Sequence, residues 1–219
     1  MTRSEENYIK IIFHLGKSEK KGISTNAIAK QMDTKPSSVT DMVKKLSDKG
    51  LVNYRKYQGV SLTPVGRKKA LSIVRNHRLW EVFLVEKLDF SWDEVHEVAE
   101  QLEHIKSEQL IDKLDKLLGF PRFDPHGDAI PTKEGEFKER IKQLLSEAPL
   151  NSMGICVGVR DSSAPFLKFL DKNNIALGQT IKVLEKEEFD GSFIIEIDKK
   201  KMHISNQIAS NLYLKMDEV

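Results

Sequence analysis

Tyr8, Ile11, Ile12 and Leu15 recur at helical spacing within residues 4–16, which predicts an amphipathic first helix ended by the basic polar stretch 17–22. A short second helix follows, opened by Ser24 or Thr25 as cap and carrying Ile28, Ala29 and Met32 on one side. Asp33-Thr34-Lys35 reads as a turn, and Pro36 sits where a helix starts well. The third helix, residues 36–49, turns Val39, Met42, Val43 and Leu46 inward and stops at Gly50. Residues 51–57 and 60–63 form a hairpin around Gln58-Gly59. Two short helices with a tight turn, then a two-stranded ribbon, make a winged helix-turn-helix.

Apolar periodicity resumes over residues 64–88, with Val65, Ala70, Ile73, Val74, Leu79, Val82, Phe83 and Val85 on a long helix. Another helix is expected over 92–118, broken by Gly119-Phe120-Pro121, then a structured loop over 121–131 and a last helix over 132–146. These helices are too apolar to stand alone, so they pack on each other or on a second subunit, and a homodimer is the economical answer. Beyond Pro149 the pattern shortens to strand-like runs at 153–159, 180–184, 192–197 and 202–205, interrupted by a helix at 164–171. Several short strands in so small a segment predict a small β-barrel. The fold class expected is α+β: a winged helix-turn-helix over 1–72, an all-helical dimerisation domain over 73–148, and a small β-barrel over 149–219.

Charge sharpens this division. The overall net charge of +2 conceals 16 Lys/Arg against 6 Asp/Glu in residues 1–75, a net of +10, and a net of −8 in the remainder. A basic first third on an acidic remainder points to a polyanion-binding segment joined to something with another task, although a solvated lysine-rich surface fits the count equally well. The single cysteine, Cys156, excludes an internal disulfide and a thiolate zinc cage, so any metal is held by nitrogen and oxygen. Its apolar surroundings read as a buried strand. No apolar run approaches the roughly 18 residues of a membrane span, and MTRSEENYIK carries no signal-peptide core, so a cytoplasmic location and no membrane partner are expected.

The third helix is the candidate DNA reader. Lys35, Ser37, Ser38, Thr40, Asp41 and Lys44 face outward, small hydroxyls near a helix start approach bases and phosphates closely, and Lys45 adds charge. Arg55 and Lys56 on the wing are candidate backbone clamps. Winged helices also serve as protein-interaction modules; the basic segment favours DNA.

On a wheel of the helix expected at 92–118, His96, Glu100, Glu103 and His104 share one face. Spacing alone fits a wet surface as well as a ligand set. The preceding helix offers His77 and Glu81 one turn apart, and imidazoles facing carboxylates suit Mn, Fe, Co, Ni or Zn. The sequence has neither H-E-x-x-H nor paired Glu-x-x-His motifs, nor a Ser/His/Asp set, a phosphate loop or a dinucleotide fingerprint. No enzyme and no small organic substrate are expected.

His77-Arg78-Leu79-Trp80-Glu81, Val95-His96-Glu97, Glu103-His104 and Asp124-Pro125-His126-Gly127-Asp128-Ala129-Ile130-Pro131, set behind a winged helix, resemble the diphtheria-toxin-repressor family of iron- and manganese-dependent regulators. The resemblance spans the whole chain and implies that the C-terminal barrel is SH3-like, of the FeoA type. It also implies two metal sites: an ancillary one at His77, Glu81 and His96, and a regulatory one at Glu100, Glu103, His104 and a first-helix residue. Position 100 is Cys in iron-type members and Glu in manganese-type ones, so Glu100 shifts preference toward Mn(II), with Fe(II) possible and Zn(II), Co(II) or Ni(II) as substitutes in vitro.

The chain also departs from the family pattern. The first-helix ligand is Asn7 rather than Met or Asp, Lys10 replaces a Glu of manganese regulators, and Ser162 and Pro165 stand where iron-type members place barrel ligands. His14 and His126 read as exposed or structural. The function implied is a dimeric repressor that binds pseudo-palindromic operator DNA when loaded with Mn(II) or Fe(II) and controls metal homeostasis. The alternative is a metal-independent winged-helix regulator answering to a small molecule or a protein partner.

Overall fold

The computed structural model describes residues 1–16, 22–55, 58–137 and 141–216. They form two compact units: Met1–His77 with Glu100–Glu108 and Pro131–Glu136, and Arg78–Ala99 with Gln109–Ile130 and Phe137–Val219.

In the first unit α1 (Arg3–Leu15) starts from a capping box, in which Thr2 accepts from the Glu5 amide and Glu5 accepts from the Thr2 amide. Then come α2 (Thr25–Gln31), capped by Ser24, and α3 (Pro36–Asp48), with Pro36 in its first turn. The wing pairs β1 (Val52–Arg55) with β2 (Gly59–Leu62) in antiparallel register from Val52↔Leu62 to Arg55↔Gly59. Ile9, Ile12, Ile28, Val39, Val43, Leu46 and Val60 form the core of this unit. On α1 the inward face centres on Ile9, Ile12 and Phe13, one position off the expected Ile11 and Leu15, which are half-buried. The predicted end of this helix and part of the hairpin turn, residues 17–21 and 56–57, lie outside the described residues.

Glu5 ties α1 to the end of α3. Its carboxylate accepts from Lys49 at 2.8 Å and lies 3.0 Å from Lys45, and these bonds, Lys49 first, hold it at about 2, well below the usual 4.5. A carboxyl depressed on folding contributes stability above its unfolded pKa and loses it as pH falls from 4.5 toward 2. Glu5→Gln is therefore expected to lower stability at neutral pH by about 1 kcal/mol, discounted because both lysine side chains are about half exposed to solvent. Urea titrations should find that deficit shrinking below about pH 4.

The long helix α4 (Pro64–Leu88) has the predicted bounds. The helix expected over 92–118 is instead two: α5 (Val95–Leu102) and α6 (Glu108–Leu117). No Gly or Pro marks the break at 103–107. Tertiary bonds hold the turn instead: Asn76 Nδ2 donates to the freed Glu103 carbonyl at 3.3 Å, and the Lys106 side chain is anchored by donating from Nζ to the Met1 carbonyl at 2.6 Å. Glu103 and His104 thus leave the helix face assigned to them and sit in a turn.

The helix expected over 132–146 is also corrected, since no α-helix occurs among its described residues. Gly135 turns left-handed (φ +86°) against Leu71, where an added Cβ would meet the Leu71 side chain at 2.9 Å. Gln143 and Leu144 then form a short strand, β3 (Gln143–Leu144), and a 3-10 turn follows at Leu145–Glu147.

In the second unit the barrel is built from β3, β4 (Met153–Val159), α7 (Ala164–Lys172), β5 (Thr180–Lys186), β6 (Phe193–Ile197), β7 (Lys200–Ile204), α8 (Asn206–Ala209) and β8 (Leu212–Met216). The sheet order is β3-β8-β4-β5-β6-β7, antiparallel throughout, with bulges after Cys156 and Val183 that help it curl. Phe193, Ile195, Leu212 and Leu214 fill its core, and Trp92 packs against it. Cys156 is buried within β4, and burial pushes its thiol up to about 11, so it is an inert core residue as expected. The loop 121–130 is pinned to β4: Val159 N–H donates to the His126 carbonyl at 3.0 Å. Gly127 (φ +83°) lies so close that a Cβ would fall 1.9 Å from the Val157 carbonyl oxygen. Only glycine fits there.

Candidate functional site

In the first unit, one turn of α1 meets the end of α5. Glu6, Asn7 and Lys10 share a face of α1 by helical spacing, while Glu100 lies on the last turn of α5 and Glu103 and His104 just beyond it. Glu103 is buried, with Oε2 2.7 Å from His77 Nδ1 on α4 and both oxygens bonded to Lys10 Nζ at 2.7 and 2.8 Å. Lys10 Nζ also donates to Glu100 Oε1 at 2.5 Å. Donor atoms of His77, Glu100 and Glu103 lie within 4.8 Å of one another, close enough to share an ion.

His104 is held by a residue the sequence did not single out. Its Nδ1 lies 2.6 Å from Glu6 Oε2, and Nε2 faces Glu103 Oε1 at 3.7 Å. With Nδ1–H donating to Glu6, the Nε2 lone pair turns toward Glu103, the arrangement by which a carboxylate orients a metal-binding imidazole. Asn7 supplies the test of fit. Its Oδ1 is buried with no hydrogen-bond partner among the described residues. A buried acceptor left unsatisfied costs about 1–3 kcal/mol, and a cation would satisfy it. Glu6→Ala is expected to weaken metal binding about 10- to 100-fold while leaving the ligands in place, as isothermal calorimetry would measure.

The second unit gathers a separate group. Oxygen and nitrogen donors of Glu81, Asp124 and His126, all buried, lie within 4.8 Å of one another. Glu81 Oε1 is 3.2 Å from His96 Nδ1 and 3.7 Å from His126 Nδ1. His126 Nε2 lies 2.8 Å from the Trp92 carbonyl, so its N–H donates there and Nδ1 is left facing Glu81. Asp124 Oδ1 accepts from the amides of His126 and Asp128, and Arg78 Nε lies 3.2 Å from its other oxygen. Burial, then the charge of Glu81, push the Asp124 carboxyl up to about 7 against the opposing pull of Arg78. Burial disfavours the charged His126 ring, yet the bond and charge of Glu81, with Asp124, carry it up to about 9. Two buried carboxylates repelling each other beside an imidazole are the donor set a divalent cation relieves.

The helical wheel placed His96 with Glu100, Glu103 and His104, whereas the family resemblance placed it with Glu81, and the contact at 3.2 Å agrees with the resemblance. The structure puts His96 beside Glu81 in the second unit and the other three in the first. His77 belongs to the first unit, through Glu103. His126 reads from the sequence as exposed or structural. It is buried, and it joins Glu81 and Asp124 through a loop whose sequence spacing to α4 gives no hint of the contact. His14 is exposed, as expected.

The candidate DNA face is mostly open. Lys35, Ser37, Ser38, Asp41 and Lys44 are exposed along α3, and Arg55 is exposed on β1. Thr40 is half-buried and returns its hydroxyl to the Pro36 carbonyl at 2.9 Å. Lys45 reaches back to Glu5, which spends part of its charge within the protein. Lys56 lies outside the described residues.

A third helix with an exposed polar face and a basic wing, in a chain that also holds buried imidazole–carboxylate clusters, defines a winged-helix protein with metal-ligand chemistry. Residues 1–60 match the iron dependent repressor N-terminal DNA binding domain, residues 63–132 the iron dependent repressor metal binding and dimerisation domain, and residues 143–216 the FeoA domain. The chain belongs to the iron-dependent repressor family of transcriptional regulators, the diphtheria-toxin-repressor family that its motifs resemble. It is 38% identical over 124 residues to the HTH-type transcriptional regulator MntR of Oceanobacillus iheyensis, covering 56% of this chain and 82% of that protein. It is 33% identical over 128 residues to the iron-dependent repressor IdeR of Mycobacterium tuberculosis, 58% of this chain and 54% of that one. A solved manganese-dependent transcriptional repressor in complex with manganese superposes with a TM-score of 0.85 at 32% identity, over 97% of this chain and 99% of the other. No helix among the described residues is long and apolar enough to cross a membrane.

Proposed function

We propose that this chain is a non-catalytic, cytoplasmic repressor that binds a pseudo-palindromic operator as a homodimer when loaded with Mn(II), with Fe(II) as second choice. Residues 1–72 read DNA, 73–148 bind metal and dimerise, and 149–219 form the SH3-like domain. The observation that carries the reading is the buried, unsatisfied Asn7 Oδ1 on α1, on the helical face shared by Glu6 and Lys10, which bond His104, Glu100 and Glu103. Asn7, Glu100, Glu103 and His104 are the proposed regulatory ligands, with His77 holding Glu103 and Glu6 holding His104. Glu81, Asp124 and His126 are the proposed second set, with His96 beside Glu81. The donors are chiefly hard oxygens with imidazole and no thiolate, which favours Mn(II) over softer ions.

Asn7 on α1, Glu100 on the last turn of α5, and Glu103 and His104 just beyond it would hold a divalent ion, which would supply positive charge to this set. α1 packs on the recognition helix through Glu5, Lys45 and Lys49, so fixing α1 fixes the reader. A dimer whose two readers are held one DNA turn apart fits a two-fold operator. Ligand that prefers the DNA-competent arrangement shifts the population toward it. The test is His104→Ala: operator binding should lose its dependence on Mn(II), and the rise in stability that Mn(II) gives should fall. Metal-dependent operator binding retained with unchanged metal affinity would overturn the assignment. A wild-type protein that no metal stabilises would favour the metal-independent regulator.

A further inference from the structure

We propose that Lys10 is a tethered competitor of the metal ion: its ammonium takes the place between Glu100 and Glu103 and so sets the metal concentration at which the regulatory set loads. This rests on the reading of that set as a metal site. An ammonium has three N–H donors, and Lys10 Nζ meets three carboxylate oxygens, Glu100 Oε1 at 2.5 Å and Glu103 Oε1 and Oε2 at 2.8 and 2.7 Å. Its hydrogen-bonding capacity is filled by the oxygens that, with His77, are spaced to share an ion. Lys10 is 7% exposed and Glu103 2%, so water screens the contact poorly.

A divalent cation and this ammonium cannot hold the same oxygens. Metal–oxygen distances near 2.0–2.2 Å would put the two charges about 3–4 Å apart, where they repel strongly at any dielectric a protein interior offers. Lys10 must withdraw along its flexible four-carbon stem before Glu100 and Glu103 turn to the metal. Three consequences follow. The lysine keeps α1 tied to the turn after α5 when metal is absent, through charge-assisted bonds weaker than coordination. It also raises the free-metal level needed to switch, and its positive charge leaves room for one divalent ion in this set rather than a close pair.

Lys10→Met and Lys10→Gln remove the competitor, and Lys10→Arg keeps the charge. Calorimetric titration with chelator-buffered Mn(II) should isolate the regulatory binding step as the one that Glu103→Gln loses. We expect both neutral variants to bind Mn(II) at that step at least tenfold more tightly than wild type, with Lys10→Arg close to wild type. Metal-free melting temperature should fall in the neutral variants, and the rise on adding Mn(II) should exceed that of wild type. Unchanged or weaker Mn(II) affinity in a folded neutral variant would overturn the proposal while leaving the metal site intact. If wild type and Glu103→Gln take up Mn(II) identically, the site assignment itself falls, and this proposal with it. Should Lys10→Met fail to fold even with Mn(II), Lys10→Gln decides alone.

Discussion

Glu103→Gln is expected to push metal-dependent operator binding to about 100-fold higher free Mn(II), with little change in side-chain volume. Glu103 links the first-unit cluster, bonded to His77 and Lys10 and facing His104. The amide removes the negative charge and gives one oxygen a hydrogen-bearing neighbour, so metal affinity should fall by about 100-fold, at the strong end of ligand-shell effects. At a free Mn(II) level a hundred times the wild-type dissociation constant, wild type gains about 2.7 kcal/mol of stability by mass action. The variant would then gain about 0.4 kcal/mol under the same conditions. Differential scanning calorimetry in chelator and in buffered Mn(II) reads this directly, and equal gains in the two proteins would remove Glu103 from the ligand set.

The second large effect is on salt. Residues 1–75 carry a net +10, and Lys35, Lys44 and Arg55 are exposed on the candidate reading surface. Each phosphate neutralised releases condensed counterions, so about six contacts per dimer should cost about a thousandfold in operator affinity between 50 and 200 mM salt. Lys44→Ala should flatten the slope of log K against log salt by about 1 per bound side chain and weaken all sequences alike. Lys45→Ala should do less, because that lysine already faces Glu5. Fluorescence anisotropy over a salt series checks both. A slope near zero would mean that the basic third is solvated surface and the winged helix meets something other than a polyanion.

The winged helix could be read from the chain because its determinants are local: apolar spacing on α1 to α3, Ser24 and Pro36 at helix starts, and Gly59 at the turn. The barrel strands β4 to β7 were legible for the same reason, through continuous or alternating apolar runs. The errors fall where a distant contact overrides local preference. Nothing between Glu103 and Ser107 discourages a helix, yet Asn76 and Lys106 stabilise a turn there, and that turn displaces two of the four residues expected on one face. Residues 132–146 have helical composition, but Gly135 closes on Leu71, and Gln143 and Leu144 gain strand partners in β8.

The candidate sites divide in the same way. His77, Glu100, Glu103 and His104 stood out as candidates through histidines and carboxylates at helical spacing together with family resemblance, and Asn7 through family resemblance. Glu6 was missed, since an acidic residue in a first turn is ordinary helix chemistry until the fold brings His104 to it. Asp124 and His126 were hidden because their partner Glu81 lies more than 40 residues away, on α4.

The account turns on operator affinity measured as a function of free Mn(II), with DNA selected by the protein from a random-sequence pool. In excess chelator, wild type should bind that DNA no better than unrelated sequence. Saturating Mn(II) should tighten binding at least 100-fold, and the operator should tighten Mn(II) binding by the same factor, as linkage requires. Operator affinity that is equal in chelator and in Mn(II) would contradict the claim that metal governs this protein.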